Sequence, residues 1–459
     1  MSREPVTLIF DIGKTTKKAL VFDKAFHVLE EQTENFREIS DDDGFPSEDL
    51  LLVSDWVKGI FQHYSAHPKY DIIHCNLSSY GASFVHLDIS GERLVPFYNY
   101  LKPFPAARKA LFQSLYDREK NFSAVTASPF LGLLNSGLQL FWLKYEKPAY
   151  FQRIQTSLHL PQYFTYLLTG RTFTDITSVG CHTMLWDFQK KDYHLWVDRE
   201  QIRKFFPSLH RADHVFNFTF HSRMIKFGVG VHDSSAALMP YLATQHEPFL
   251  LLSTGTWNIC FNPFNHEPLT NNELSSDCLC FLTFQGTPVK ASRLFLGHEH
   301  EVQTAALIKF FNMPPDYYKS IPFKENIYQE LVSHPGDSKI FFPIGMEGTG
   351  PFPEKQLQQT DFTAFDNFDE AYHQLVRYLV KWQLVSIDLV DPSKEVKNII
   401  VVGGFTKNPL FLEILKREGT GRKILISDHP RASALGAAWL VSGKEAYGGN
   451  EVLLSVSEI

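Results

Sequence analysis

The sequence predicts an α/β protein of two domains, and three observations carry that expectation. At 459 residues the chain exceeds what a single hydrophobic core organises, so two domains of roughly 200 residues or more are expected. Its opening stretch reads as strands, a helix and further strands, the alternation of an α/β domain. Two hairpins with polar tips, about 240 residues apart, share one design of apolar strand, small polar turn and apolar strand.

The first hairpin spans residues 7–23, TLIFDIGKTTKKALVFD. Its first apolar run ends in Asp11, and the turn Gly13-Lys14-Thr15-Thr16 leads into the second. Gly13 lets the backbone fold back, so that N–H groups, two hydroxyls and lysines gather at one point, a donor set that suits a phosphate. Asp11 is then an anion beside an anion site, which makes chemical sense with Mg²⁺ between them. The plain alternative is a surface hairpin with a polar tip. The second hairpin, residues 249–261 (FLLLSTGTWNICF), carries the turn Ser253-Thr254-Gly255-Thr256. Two such pieces suggest related halves that offer phosphate-gripping loops to a shared cleft. The pair resembles the layout of the sugar kinase, heat-shock ATPase and actin superfamily.

Composition excludes several classes of function. A net charge of −7 argues against a general nucleic-acid or anionic-membrane binder. No apolar run approaches about 18 residues, so no membrane span is expected. The N-terminal residues enter the first strand without a basic and apolar leader. Five cysteines, an odd number without a paired C-x-x-C spacing, point to a reducing, cytoplasmic setting without a zinc site. Cys278-Leu279-Cys280 lies in a period-two apolar run and reads as strand.

Taken in order, residues 36–46 are acidic and read as a loop, and 47–64 have helical spacing with Ser47 as the expected N-cap. Strands are expected at 72–77 and 84–88, and a helix over 131–145. Residues 228–237, GVGVHDSSAA, read as a hinge into the second domain, which sets the domains at 1–227 and 228–459. A helix is expected over 234–242, with Asp233 at or beside its cap. The region between the second hairpin and residue 355 carries no clear pattern. A long amphipathic helix follows at 368–389, then a strand at 398–402, a diglycine turn (Gly403-Gly404-Phe405-Thr406-Lys407-Asn408) into a helix, a strand at 423–427 and a helix at 433–441. Two glycines between strand and helix let a ligand approach the backbone, which suits a base and ribose.

The segment Gly137-Leu-Gln-Leu-Phe-Trp-Leu-Lys-Tyr-Glu-Lys-Pro148 closely resembles a signature of the FGGY carbohydrate kinases, with Gln139 where that pattern has lysine. Thr174-Asp-Ile-Thr-Ser178, Leu185-Trp-Asp187 and Trp196 follow the same family pattern, and the match covers nearly the whole chain. The resemblance implies two actin-like (ribonuclease H-like) ATPase domains around an interdomain cleft, with ATP, Mg²⁺ and a small-molecule sugar as ligands. It implies cofactor-binding roles for Asp11, Gly13, Lys14, Thr15, Thr16, Thr254, Gly255, Thr256, Gly403, Gly404 and Asn408. Asp11 would hold Mg²⁺ through water, and Phe405 replaces a common third glycine. Asp233 matches the catalytic base, which fits the need of phosphoryl transfer for a carboxylate that takes the hydroxyl proton. Dimers are common in such a family, so a homodimer stays open.

For the sugar, Tyr80, Gly81, Ala82, His232 and Asp233 are the expected substrate-binding residues. His232-Asp233 resembles the His-Asp pair of rhamnulose and fuculose kinases, although the segment Tyr80–Ser83 lacks their tryptophan and acid and Tyr98-Asn99-Tyr100 lacks the frequent acid-x-Arg. Residues 291–304, including Arg293 and Gly297-His298-Glu299, also depart from the usual pattern. The expectation is a kinase for a 6-deoxyketose such as L-rhamnulose or L-fuculose. Two alternatives stand beside it: a kinase for xylulose, gluconate or glycerol, and a non-catalytic regulator that binds ATP or sugar on the same fold.

Overall fold

The computed structural model describes residues 3–81, 83–116, 121–333, 339–346, 349–352, 358–427, 429, 431–443 and 456–458. The chain forms two compact units. The first comprises Met1–Thr244, Cys280–Pro288 and Arg431–Leu454, and the second Gln245–Leu279, Val289–Pro430 and Ser455–Ile459. This differs from the divide expected at residue 227. The helix Asp233–Thr244 stays in the first unit and is joined there by the late helix Ala432–Ser442. The reason is backbone packing, because Gly436 lies so close to Ala236 that a Cβ there would overlap the Ala236 carbonyl. Asp233, expected in the C-terminal domain, therefore belongs to the first unit.

In the first unit, the expected hairpin is formed by Glu4–Ile12 and Lys17–Phe22, paired antiparallel. Among the described residues its sheet runs Val215–Phe220, Arg223–Gly228, Tyr70–Ser79, Glu4–Ile12, Lys17–Phe22, Val28–Glu34, and Val231–His232 joins Tyr70–Ser79. Both the first strand and Val231–His232 lie parallel to Tyr70–Ser79, on opposite sides of it. The strand Glu4–Ile12 is buried along most of its length, with Leu8, Ile9, Phe10 and Ile12 at 0% exposure, as expected of a central strand. Helices Leu50–Ala66 and Leu160–Thr169 pack on this core. The N-cap of the former is Asp49, which accepts from the Leu51 and Leu52 N–H groups, and not Ser47. Ser47 is buried and donates its hydroxyl to the Phe97 carbonyl.

A second core in this unit is helical and aromatic, and there Trp196 donates to the Met184 carbonyl at 2.7 Å. The helix expected over 131–145 is divided into a single turn, Gly132–Leu134, and the helix Ser136–Glu146. Asn135 stands between them and ties the break together. Its amide donates to Ser128 Oγ at 2.9 Å and to the His182 carbonyl at 2.8 Å, and its oxygen accepts from Leu131 N–H. Gln139 bridges Phe84 N–H and the Leu133 carbonyl, which gives this substitution for lysine a structural role.

The second unit repeats the design of the first. Phe249–Thr254 pairs antiparallel with Asn258–Asn262 and parallel with Asn398–Gly403, as the first strand of the chain does with its hairpin partner and with Tyr70–Ser79. Pro288–Leu294 extends the sheet beyond Asn258–Asn262, and Lys423–Ser427 extends it beyond Asn398–Gly403. The unassigned region thus holds a strand and the helix Leu296–Phe311. The amphipathic helix Phe368–Val390, capped by Asn367, buries Leu375, Val376, Leu379 and Val380 against the sheet. Cys278-Leu279-Cys280 lies in the strand Cys278–Leu282, and all five cysteines are buried and outside any disulfide. Among the described residues no helix is long and apolar enough to cross a membrane.

The packing of Ala432–Ser442 on Asp233–Thr244 has a direct consequence. Gly436→Ala should lower the unfolding free energy by about 3 kcal/mol, the upper part of the overpacking range, because a backbone carbonyl cannot move aside as a side chain can. Urea unfolding of the variant beside wild type measures it.

Candidate active site

In the first unit, sheet register gathers the carboxylates. Asp11 pairs with Ser78 and Ile12 with Ser79, while on the other side Val231 pairs with Ser78 and His232 with Ser79. Asp233 follows at once as the first residue of its helix. Asp11 and Asp233 therefore stand at the same end of the sheet with one strand between theirs. Gly230, at φ +86°, makes the bend that starts this short strand, and its N–H donates to Asn76 Oδ1 at 3.2 Å. Asn76, fully buried, also donates to the Ala437 carbonyl at 2.9 Å, so it ties the central strand to the late helix. At that helix's N-terminus Ser433 donates to Asp11 Oδ2 at 2.7 Å.

Burial raises the Asp11 carboxyl to about 6; the Ser433 hydrogen bond opposes this, the charge of Asp233 adds to it, and Lys18 and Ser78 oppose it. Asp233 is also raised by burial, against its bonds from Ser234. The Ser234 N–H lies 2.6 Å from Asp233 Oδ1, so the capping reading and the catalytic reading describe the same carboxylate. His232 is buried, with Nε2 at 3.4 Å from Asp233 Oδ1, and burial lowers its imidazole to about 4. Gly81 lies against it, since a Cβ there would stand 2.7 Å from His232 Nε2. The sequence pattern thus brings Asp11, Gly81, His232 and Asp233 together. Ala82 lies outside the described residues.

Tyr80 has another part. Its hydroxyl donates to Glu48, which is paired with Lys17, and all three are buried. Burial first, and then the Glu48 charge, raise the Tyr80 phenol well above its ordinary value. Tyr80 shapes the site, and its ring meets the half-buried Tyr100 edge-on at 6.0 Å. Burial and then the Asp233 charge raise the Tyr100 phenol. At the hairpin tip, Gly13 N–H donates to the Thr16 carbonyl at 3.0 Å and closes the turn. Lys14 pairs with Glu38 at 2.5 Å, Thr15 is exposed and Thr16 is half-buried.

The second unit carries a cavity of about 530 Å³ lined by Gly255, Thr256, Gly404, Phe405, Asn408 and His300, among others. Thr254 knits its floor, donating to the Val402 carbonyl at 2.6 Å and accepting from Phe405 N–H at 3.0 Å. Gly403, at φ +91°, is pressed on the Thr254 backbone and admits no side chain. Thr254 and Gly403 therefore build the loop, while Gly255, Thr256, Gly404 and Asn408 face the space. Asn408 caps the helix Pro409–Glu418 and donates to Tyr372 Oη at 3.0 Å. Phe405 turns its ring into the core beside Phe411 at 4.5 Å. The divergent residues 291–304 support the same loop. Arg293 pairs with Asp277 at 2.6 Å and lies over Trp257, Gly297 packs on Gly255, and the buried Glu299 carboxylate accepts the N–H groups of Ile344, Gly345 and Met346.

Sequence reasoning missed Ser433, Glu48, Tyr100, Tyr372 and His300 as members of these sites. Tyr100 lay in a segment already marked as a departure. Ser433 stands 422 positions from Asp11, and no local pattern links such a pair.

Arranged in this way, the first unit can accept a proton at Asp233 and hold a divalent cation at Asp11, because two half-buried carboxylates with raised proton affinities gain from a cation. The second unit can take a nucleotide-sized ligand against backbone N–H groups.

Two family models match the chain. The N-terminal domain of the FGGY family of carbohydrate kinases matches residues 6–232, and the C-terminal domain of carbohydrate kinase FGGY matches 246–448. The fold is that of solved kinases. A carbohydrate kinase from Novosphingobium aromaticivorans superposes with a TM-score of 0.81 at 22% identity, covering 100% of this chain and 94% of that one. A xylulose kinase from Lactobacillus acidophilus gives 0.78 at 16% identity over 99% and 93%. A glycerol kinase from Plasmodium falciparum, solved with ADP, gives 0.77 at 15% over 99% and 93%.

The raised Asp11 carboxyl sets a stability test. Its folded value lies above the ordinary 3.8, so ionisation penalises the folded state at pH above about 6, and the penalty vanishes as pH falls below the unfolded value. Asp11→Asn should raise stability by ~1–2 kcal/mol near pH 8 in metal-free buffer and leave it unchanged near pH 3.5. Thermal melts at the two pH values read the difference.

Proposed function

From the premise that the chain belongs to the FGGY family of carbohydrate kinases, and so is a sugar kinase, we propose that it transfers the γ-phosphoryl group of Mg·ATP to a ketose with Asp233 as general base. The observation that carries this is the position of Asp233, one residue beyond a strand whose register sets it beside Asp11. A base in such a transfer must be ionised and within reach of the sugar hydroxyl, and Asp233 keeps about a third of its side chain exposed. His232 orients the carboxylate or the sugar as a neutral imidazole, its burial disfavouring the charged form. Asp11 would hold Mg²⁺, with Ser433 fixing one carboxylate oxygen. When bound, that ion neutralises charge on the transferring phosphate.

The nucleotide is assigned to the cavity of the second unit, its phosphates toward the Gly255-Thr256 loop and its adenosine toward Gly404 and Asn408. The hairpin residues Gly13, Lys14, Thr15 and Thr16 are assigned to phosphate contact in the first unit. The division into an N-terminal portion with sugar and first phosphate loop, and a C-terminal portion with second phosphate loop and adenosine site, stands as part of this reading. The base moves to the first unit.

A 6-deoxyketose, L-rhamnulose or L-fuculose, phosphorylated at O1, is the substrate we favour. Its support is the His232-Asp233 pair and the aromatic surroundings of that pair, Tyr100 and Phe281. A cytoplasmic location and a homodimer belong to the same reading. Kinases named for xylulose, gluconate and glycerol share the fold, so another sugar or polyol is the second reading.

ADP release from Mg·ATP across a panel of sugars tests it. Asp233→Ala should lower kcat by about a hundred- to ten-thousand-fold while ATP binding persists. The acidic limb of kcat/KM should lie above the ordinary aspartate range, because a raised base gains its active, ionised form only at higher pH. Turnover of xylulose or a polyol in place of a deoxyketose would move the reading to the second substrate class, and no turnover with tight ATP binding would indicate a regulator.

A further inference from the structure

Beside the candidate base, His232 meets two further side chains able to ligate a metal, Cys181 and His182, that phosphoryl transfer does not require. Cys181, His182 and His232 each bring a ligand atom within 4.8 Å of the other two. Their exposures are 1%, 9% and 3%, so they share a buried place and not a surface. Gly81 keeps it open on one side, since a Cβ there would stand 2.7 Å from His232 Nε2 and 3.3 Å from Cys181 Sγ. Phe281 walls another side, stacked on the His232 ring at 5.5 Å and edge-on to His182 at 6.0 Å.

The surroundings are those of a ligand set. His182 Nδ1 lies 3.0 Å from the Leu134 carbonyl, which can only accept, so Nδ1 carries the proton and Nε2 the lone pair. A histidine that donates its far nitrogen to a carbonyl is oriented as metal-binding histidines are. His232 turns Nε2 to this side, where the position that a Cβ of Gly81 would take lies close to both that nitrogen and Cys181 Sγ. Asp233 Oδ1, 3.4 Å from His232 Nε2, adds a negative charge next to the three.

We infer that Cys181, His182 and His232 form a binding site for a thiophilic divalent cation, with Zn²⁺ as the type, separate from the Mg²⁺ assigned to Asp11. Thiolate and imidazole are poor ligands for Mg²⁺ and good ones for Zn²⁺. A tetrahedral zinc separates sulfur and nitrogen ligands by about 3.5 Å, so atoms within 4.8 Å of one another reach it by small side-chain rotations. Binding replaces the Cys181 thiol proton, which leaves to solvent, and forms the Zn–S bond. The ion's two positive charges are then balanced by the thiolate and Asp233. An ion held there would occupy His232 and draw on the Asp233 carboxylate, so it would inhibit transfer. That inhibition rests on the kinase reading, whereas the binding does not.

Co²⁺ titration of the full chain tests the site, because a cobalt–thiolate bond gives a near-ultraviolet charge-transfer band that no oxygen site gives. The expected result is a band that saturates at one Co²⁺ per chain, is bleached by one equivalent of Zn²⁺ and survives a large excess of Mg²⁺. Cys181→Ser should abolish the band, and His182→Gln should weaken binding by about tenfold or more. Micromolar Zn²⁺ should lower sugar-dependent ADP release by wild type and spare Cys181→Ser. No charge-transfer band in wild type, or a band unchanged in Cys181→Ser, would overturn the site. A band without inhibition would retain the site and remove its effect on Asp233.

Discussion

The arrangement around Asp233 depends on a close backbone approach between two helices distant in sequence. Gly436 lets the helix Ala432–Ser442 press on Asp233–Thr244, and Asn76 pins the former to the central strand. The N-terminal residues of both helices then face the end of the first strand, with Asp233 from one and Ser433 from the other beside Asp11. A methyl group at 436 would part the helices and with them the two carboxylates.

Around this point the first unit is under electrostatic tension that a ligand would relieve. Two half-buried carboxylates stand within each other's field, and Lys18 and Ser433 offset only part of it. The buried pair of Lys17 and Glu48 settles its own charge and spends its remaining capacity on Tyr80. Removal of either partner would leave a buried charge unpaired, so this trio is a rigid support. The histidines nearby, His86, His159 and His232, are all driven toward the neutral form by burial, and they add polar character without adding charge.

The second unit solves a different problem, that of holding backbone open to a ligand. Thr254 is used up in hydrogen bonds to the neighbouring backbone, and Gly403 and Gly297 admit no side chain without overlap. Phe405, which replaces a glycine in the expected motif, is accommodated because its ring turns inward toward Phe411 while its N–H stays bonded to Thr254. The divergence at residues 291–304 is likewise absorbed by support of the loop from below, through Arg293, Gly297 and Glu299.

By itself the sequence determined what is local. Both hairpins, the long helix Phe368–Val390 and the strand Lys423–Ser427 were legible because alternation, helical spacing and turn glycines act over a few residues. The motif resemblance likewise named Asp11 and Asp233 and the family. Tertiary structure alone decided the rest. The place of the helix Asp233–Thr244 in the first unit goes with the Gly436 contact, the cap fell to Asp49 because Ser47 was drawn to Phe97, and Tyr80 was turned to Glu48. Ser433 came to Asp11, and Cys181 and His182 came to His232, by sheet register and helix packing across long stretches of chain. Such contacts leave no periodicity behind, since they depend on which surfaces meet and not on which residues are neighbours in the chain.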